Sequence, residues 1–220
     1  LPGRGRRADP GVPGIRPSPS AGRRSSAPPL VLVLPGSRRS EIDRLMADFG
    51  AAIDQLAQMH GPIEVRLPAV AHLADKITKA AELWRIKPEI VLGEEAKWAA
   101  FRSARIALAA SGTVTLELAM ANVPMVVAYK YSRLEGLLRP FVKVPSIVLA
   151  NLVLGRNAIP EFLQDECTPN SLANALAELL PEGAKRQAQT QALIDVRSLM
   201  ALPDQQYPSM QAAALVLKAL

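Results

Sequence analysis

From Leu30 onward the sequence predicts an α/β fold: a parallel sheet covered by helices on both faces, with a helical C-terminal extension. Three observations lead there. Short apolar runs alternate with longer stretches in which apolar residues recur three and four positions apart. Turns rich in Gly, Pro and Ser separate the two kinds of segment. Hydrophobic residues make up 49% of the 220 residues, enough for a sizeable core. Strands alternating with helices build βαβ units, and βαβ units build parallel sheets.

Leu30 to Leu34 is the first strand candidate. After Pro35-Gly36-Ser37, Ser40 is placed to cap a helix carrying Glu41 and Asp43 in its first turn. Ile42, Leu45, Met46, Phe49, Ile53 and Leu56 form the apolar face of that helix, and Gly61-Pro62 stops it. A strand over 63–67, a helix over 71–84, a strand over 89–92 and a helix over 95–103 come next. A strand at 106–109 then runs into a Ser-Gly-Thr turn, a helix over 114–122 and a strand over 125–129. The later segments read as mainly helical, over 133–142, 159–164, 169–180, 184–200 and 207–219.

Residues 1–29 differ from all of this. They hold seven prolines, five glycines and no helix or strand period, and they read as a solvated tail. They also explain the charge. The formal +6 counts 26 bases against 20 acids, of which the tail contributes six arginines and only Asp9. The rest of the chain, 30–220, is close to neutral and reads as one ligand-binding domain with C-terminal helices. Aromatic residues are only 4% of the chain, which argues against a base-stacking surface for single-stranded nucleic acid. No nucleic-acid partner is expected.

The single cysteine, Cys167, excludes a disulfide framework and a cysteine-cluster metal site. His60 and His72 fall at a predicted helix end and a helix start with no acid paired to them, so neither metal nor cofactor is expected. The most apolar stretch, 104–129, is interrupted by Arg105, Glu117 and Pro124, and no membrane-spanning helix is indicated. A cytoplasmic location follows by default.

Three segments fall at predicted C-terminal strand ends, where parallel sheets bind ligands. The first is Pro35 to Glu41, where Ser37 and Arg38 stand beside a helix start and the arginine can fork onto a diphosphate. The second is Ser111-Gly112-Thr113, a small-residue turn opening a helix, with backbone N–H groups suited to an anion. Glu117 lies one helical turn beyond Thr113. A carboxylate repels phosphate, so its use there is to accept from ribose hydroxyls. The third is Asn151 to Glu161, where Gly155 before Arg156 suggests a tight turn ahead of a helix begun by Pro160. The first two also have plain readings, solvated arginines for the Arg38-Arg39 loop and a helix cap for Ser-Gly-Thr, and the third is weak evidence as a lone loop.

Together the segments resemble lipid-A-disaccharide synthases. The resemblance is carried by Pro-Gly-Ser-Arg-Arg-Ser-Glu-Ile at 35–42, Ala-Ser-Gly-Thr-Val-Thr-Leu-Glu-Leu-Ala at 110–119 and Val-Pro-Met-Val-Val-Ala-Tyr-Lys at 123–130. It continues through Phe-Val-Lys-Val-Pro at 141–145, the 151–161 segment, and Phe-Leu-Gln-Asp-Glu-Cys-Thr-Pro at 162–169, in order, over about 30–220. It implies a Rossmann-like domain, the C-terminal, donor-binding half of a GT-B glycosyltransferase. The implied reaction moves 2,3-diacylglucosamine from UDP-2,3-diacylglucosamine to the lipid acceptor 2,3-diacylglucosamine 1-phosphate, without a metal.

By that resemblance Glu117 binds ribose, while Ser37, Arg38, Ser111, Gly112, Thr113, Asn151, Gly155, Arg156, Glu161 and Gln164 surround the diphosphate and sugar. The family pattern Leu-Pro-Asn-Leu-Leu-Ala-Gly-Arg-Glu is altered here by Ala150, Leu154 and Asn157. The catalytic base and acceptor site are expected in an N-terminal domain that residues 1–29 do not resemble, so the chain alone is expected to bind donor weakly and to catalyse nothing. Lys130, Arg133, Arg139 and Lys143 interleave with Leu134, Leu137, Leu138, Phe141 and Val142, a pattern that suits either the inner face of an anionic membrane or packing within the protein. Leu215, Val216 and Leu217 must dock somewhere, and a homo-oligomer through the C-terminal helices is one expectation. Other GT-B members, a UDP-sugar 2-epimerase or a UDP-GlcNAc transferase, are the enzymatic alternatives. A basic-tailed nucleic-acid-binding protein is the non-enzymatic one.

Overall fold

The computed structural model describes residues 27–131 and 145–201. Within them six strands form one all-parallel sheet: β1 (Leu30–Leu34), β2 (Glu64–Ala69), β3 (Glu89–Leu92), β4 (Ile106–Ala110), β5 (Met125–Tyr129) and β6 (Glu161–Leu163). Their order is β3-β2-β1-β4-β5-β6, the doubly wound Rossmann arrangement, and the chain reverses direction across the sheet between β1 and β4. The helices are α1 (Arg39–His60), α2 (Ala74–Ala81), α3 (Glu94–Ser103), α4 (Val114–Met120), α5 (Leu149–Leu154), α6 (Pro169–Leu179) and α7 (Ala184–Met200).

Strand alternation sorts the core into two layers. Val31 and Val33 of β1 face α1, α2 and α6, where Phe49, Ile53, Ile77 and Leu176 are buried. Leu32 and Leu34 face the other way, toward Phe101 of α3, Leu118 of α4 and Leu193 of α7. Successive strand side chains point to opposite faces, so a central strand covered on both sides must be apolar throughout. All five residues of β1 are accordingly buried.

Polar ties fix the last helix. The buried Gln189 of α7 accepts from the Met125 N–H (2.7 Å) and donates to the Met125 carbonyl (3.0 Å), much as a neighbouring strand would. Arg186 donates to the carbonyls of Arg105 and Leu179 at the sheet end opposite the cleft described below. Burial lowers its guanidinium to about 10, with repulsion from Arg105 adding to the effect.

Three expectations are corrected. Helix α1 begins at Arg39 with Arg38 at its N-cap, so Ser40 does not cap it; the capping group is Glu41, which reaches back to the loop. The expected helix over 159–164 is an edge strand: the Pro160 carbonyl accepts from Val127 N–H (2.9 Å) and Glu161–Leu163 pair with β5. Pro160 does not start a helix because that backbone completes the sheet, and a three-residue stretch has little propensity of its own to set against it. The Asn151 segment, read as a loop, is helical up to Leu154 and ends at Gly155 with φ 65°, a left-handed C-cap at the expected turn.

The expected helices over 133–142 and 207–219 lie outside the described residues, as do residues 1–26 of the expected tail, the 132–143 part of the amphipathic stretch, and Leu215, Val216 and Leu217. Lys130, the first cation of that stretch, is ion-paired to Asp48 of α1 at 2.5 Å. Among the described residues no helix is long and apolar enough to cross a membrane.

Candidate functional site

A cleft of about 720 Å³ opens at the C-terminal ends of β1 and β4, where the strand order reverses. Leu34 and Ala110 form its floor. Gly36, Ser37 and Arg38 wall one side, Ser111, Gly112, Thr113 and Glu117 another, and Pro68–Ala71 with Gly93, Glu94 and Lys97 a third. The site is therefore assembled from the loops after four successive strands, and a parallel sheet places all such loops at one end.

The two loops nearest the reversal differ in how their amides are used. In the β1–α1 loop, Glu41 turns back so that its Oε2 accepts from the N–H groups of Ser37 (2.9 Å) and Arg38 (3.2 Å), while Oε1 lies 3.2 Å from Arg38 Nη1. This is a capping arrangement in which the helix supplies its own anion. Gly36 makes it possible: its φ is 106°, and a Cβ there would lie 2.1 Å from Glu41 Oε2. The Arg38 side chain remains 75% exposed.

In the β4–α4 loop, Ser111 N–H donates to the Ala128 carbonyl and Ser111 Oγ to the Ile147 carbonyl (2.7 Å), which pins the turn. Thr115 Oγ1 donates to the Gly112 carbonyl (2.8 Å). The N–H groups of Gly112 and Thr113 have no hydrogen-bond partner among the described residues. They stand at the start of α4 on the cleft wall, where backbone donors attract negative charge.

Glu117 faces the same space. Its Oε2 is 3.0 Å from Lys97 Nζ, and Lys97 is also 2.9 Å from Glu94 Oε1. Burial pulls the Lys97 ammonium down, but the carboxylates of Glu94 and Glu117 outweigh it and leave the group above the ordinary lysine value. Arg38 and Lys97 thus face Glu41, Glu94 and Glu117. The cleft is mixed in charge, suited to a ligand with both an anionic part and hydroxyl donors.

The structure brings six of the expected site residues together here: Ser37, Arg38, Ser111, Gly112, Thr113 and Glu117. It does not bring Asn151, Gly155, Arg156, Glu161 or Gln164 to the cleft wall. Asn151 is buried and spends its amide internally: Oδ1 accepts from Ala158 (3.0 Å) and Ile159 (2.9 Å) N–H groups, and Nδ2 donates to the Ile159 carbonyl (2.9 Å). Glu161 accepts from Ser146 Oγ and Ile147 N–H, both at 3.0 Å. Gln164 exchanges bonds with the backbone of Tyr131. Arg156 pairs with Asp195 of α7 at 3.1 Å. Gly155 terminates α5.

Sequence reasoning missed Glu41 and Lys97 as cleft residues. For the first, a glutamate three residues past the N-cap is half of a capping-box pattern, which Arg38 in place of Ser or Thr conceals. Nothing local marks Lys97, because its partner Glu117 is on another helix.

The sequence profile of the family described as lipid-A-disaccharide synthetase matches residues 24–215. A lipid-A-disaccharide synthase of Nitrobacter winogradskyi is 50% identical over 199 residues, covering 90% of this chain and 50% of that protein. One of Rhodopseudomonas palustris is 45% identical over 208 residues, covering 94% and 53%. The chain spans about half the length of the curated relatives it matches. Among solved structures, spinosyn rhamnosyltransferase SpnG aligns with a TM-score of 0.58 at 13% identity, over 91% of this chain and 50% of that one. MurG of Acinetobacter baumannii aligns with a TM-score of 0.52 at 17% identity, over 90% and 55%. At such identities the likeness is one of fold, that of one half of a GT-B glycosyltransferase. With the profile running from before β1 to beyond α7, the chain belongs to the lipid-A-disaccharide synthetase family.

Proposed function

We propose that this chain holds the UDP-sugar donor in the transfer of 2,3-diacylglucosamine from UDP to 2,3-diacylglucosamine 1-phosphate. The observation that carries the reading is the meeting, in one cleft at the strand reversal, of Arg38, the unpartnered Gly112 and Thr113 amides and Glu117. In this reading the amides and Arg38 receive the diphosphate, and Glu117 accepts from the ribose hydroxyls. When the glycosidic bond to UDP breaks, negative charge grows on the departing diphosphate. Donors already aimed at that position stabilise it without reorganising. The acylated donor and acceptor place the reaction at a membrane surface. The acceptor site and the base that activates the acceptor hydroxyl belong to the other half of the GT-B architecture.

Calorimetry of the purified chain with UDP, and in parallel with a generic single-stranded RNA, tests this. Saturable one-to-one binding of UDP, with RNA binding that vanishes as salt is raised, is the expected result. Tight RNA binding without UDP binding would sink the proposal.

A further inference from the structure

Lys97 lies one turn into α3, a helix that follows β3, whereas Glu117 lies on α4, which follows β4. The ammonium between them is the ion pair that joins these two walls of the cleft. Its side chain is 19% exposed, against 35% for Glu117 and 78% for Glu94. Lys97 Nζ also sits 5.5 Å from the Trp98 ring centroid, and Trp98 packs edge-on against the buried Phe101. Lys97 is therefore held on the protein side, while Glu94 reaches it from solvent.

The two oxygens of Glu117 are not equivalent. Oε2 is buried and lies 3.0 Å from Lys97 Nζ, an ion-pair contact without hydrogen-bond geometry, although the side chain as a whole is a third exposed. That leaves Oε1 as the oxygen open to the cleft. A glutamate on an exposed helix face samples many rotamers, and ordering it on ligand binding costs affinity. An ion pair that orders it beforehand removes that cost.

We propose that Lys97 is a positioning residue for nucleotide recognition, holding one oxygen of Glu117 so that the other meets the ribose hydroxyls. The inference rests on the UDP reading above and adds to it a residue that does not itself touch the ribose.

The test is calorimetry of UDP and 2′-deoxy-UDP with the full chain and with Lys97→Met, Lys97→Arg, Glu117→Gln and the Lys97→Met/Glu117→Gln double variant, thermal unfolding serving as the folding control. Lys97→Met is expected to weaken UDP about tenfold and to shrink the preference for UDP over its 2′-deoxy form, a coupling of ordinary size for contacting charged groups. Lys97→Arg keeps both properties near those of the unaltered chain. In the Glu117→Gln background, Lys97→Met costs less than about twofold, because the group it positions is gone. Equal losses for both nucleotides in both backgrounds, or no loss at all, would overturn the proposal while leaving the UDP site standing. Failure of the unaltered chain to bind UDP would overturn both.

Discussion

The β4–α4 turn and the segment from Ser146 to Gln164 both carry polar residues that the sequence points to as ligand contacts. In the fold they do opposite things. The turn leaves two backbone N–H groups without partners among the described residues and sets Glu117 over the cleft. The later segment spends its polar groups within the protein, with Asn151 binding Ala158 and Ile159, Glu161 binding Ile147, and Gln164 binding Tyr131. Polar residues near a ligand site thus serve two purposes, and what separates them is whether the hydrogen-bonding capacity is already taken.

The sharpest way to break this contrast is at Asn151. Asn151→Ala leaves the Ile159 N–H and carbonyl without the partners they have now and should cost about 2–4 kcal/mol of stability, read by denaturant unfolding. A variant with unchanged stability but lost UDP binding would make Asn151 a ligand residue after all. Glu117→Gln should do the reverse. It is expected to lower UDP affinity roughly tenfold or more, for the loss of a charge-assisted hydrogen bond, while unfolding shifts by less than about 0.5 kcal/mol.

Gly36→Ala probes the loop that supplies its own anion. Its Cβ would overlap Glu41 Oε2 at a positive φ, so a destabilisation of about 1–3 kcal/mol is expected in thermal unfolding. Cys167, just past the segment from Ser146 to Gln164, tests how closed that region is. Burial pushes its thiol up to about 11. Alkylation at pH 8 should therefore run roughly a hundredfold slower in the native chain than in the unfolded one. Since the folded value is raised, the neutral thiol's contribution is complete below the unfolded thiol value and is lost as pH climbs toward 11. Cys167→Ala should flatten that alkaline loss, and an unchanged slope would assign it to other groups. The smallest effect belongs to Arg156→Ala. Its pair with Asp195 is exposed, so stability should move by less than about 1 kcal/mol, and UDP affinity should stay as it was.

The sequence by itself determined the strands that build the sheet from β1 to β5: the central β1, β4 and β5 are buried apolar runs, the outer β2 and β3 are short apolar-rich segments bounded by turns, and the helices between them carry one apolar face. It also determined that Arg38, Ser111 to Thr113 and Glu117 would meet, since loops after parallel strands share one end of the sheet. Tertiary structure decided what local pattern cannot hold. The stretch 161–163 became a strand because the edge of β5 offered it hydrogen bonds, where three residues had no strong preference of their own. Asn151 turned inward because only the folded chain brings the amides of residues 158 and 159 to it. Lys97 reached Glu117 because α3 and α4 share one face of the sheet, a proximity that the nineteen residues between them in sequence conceal.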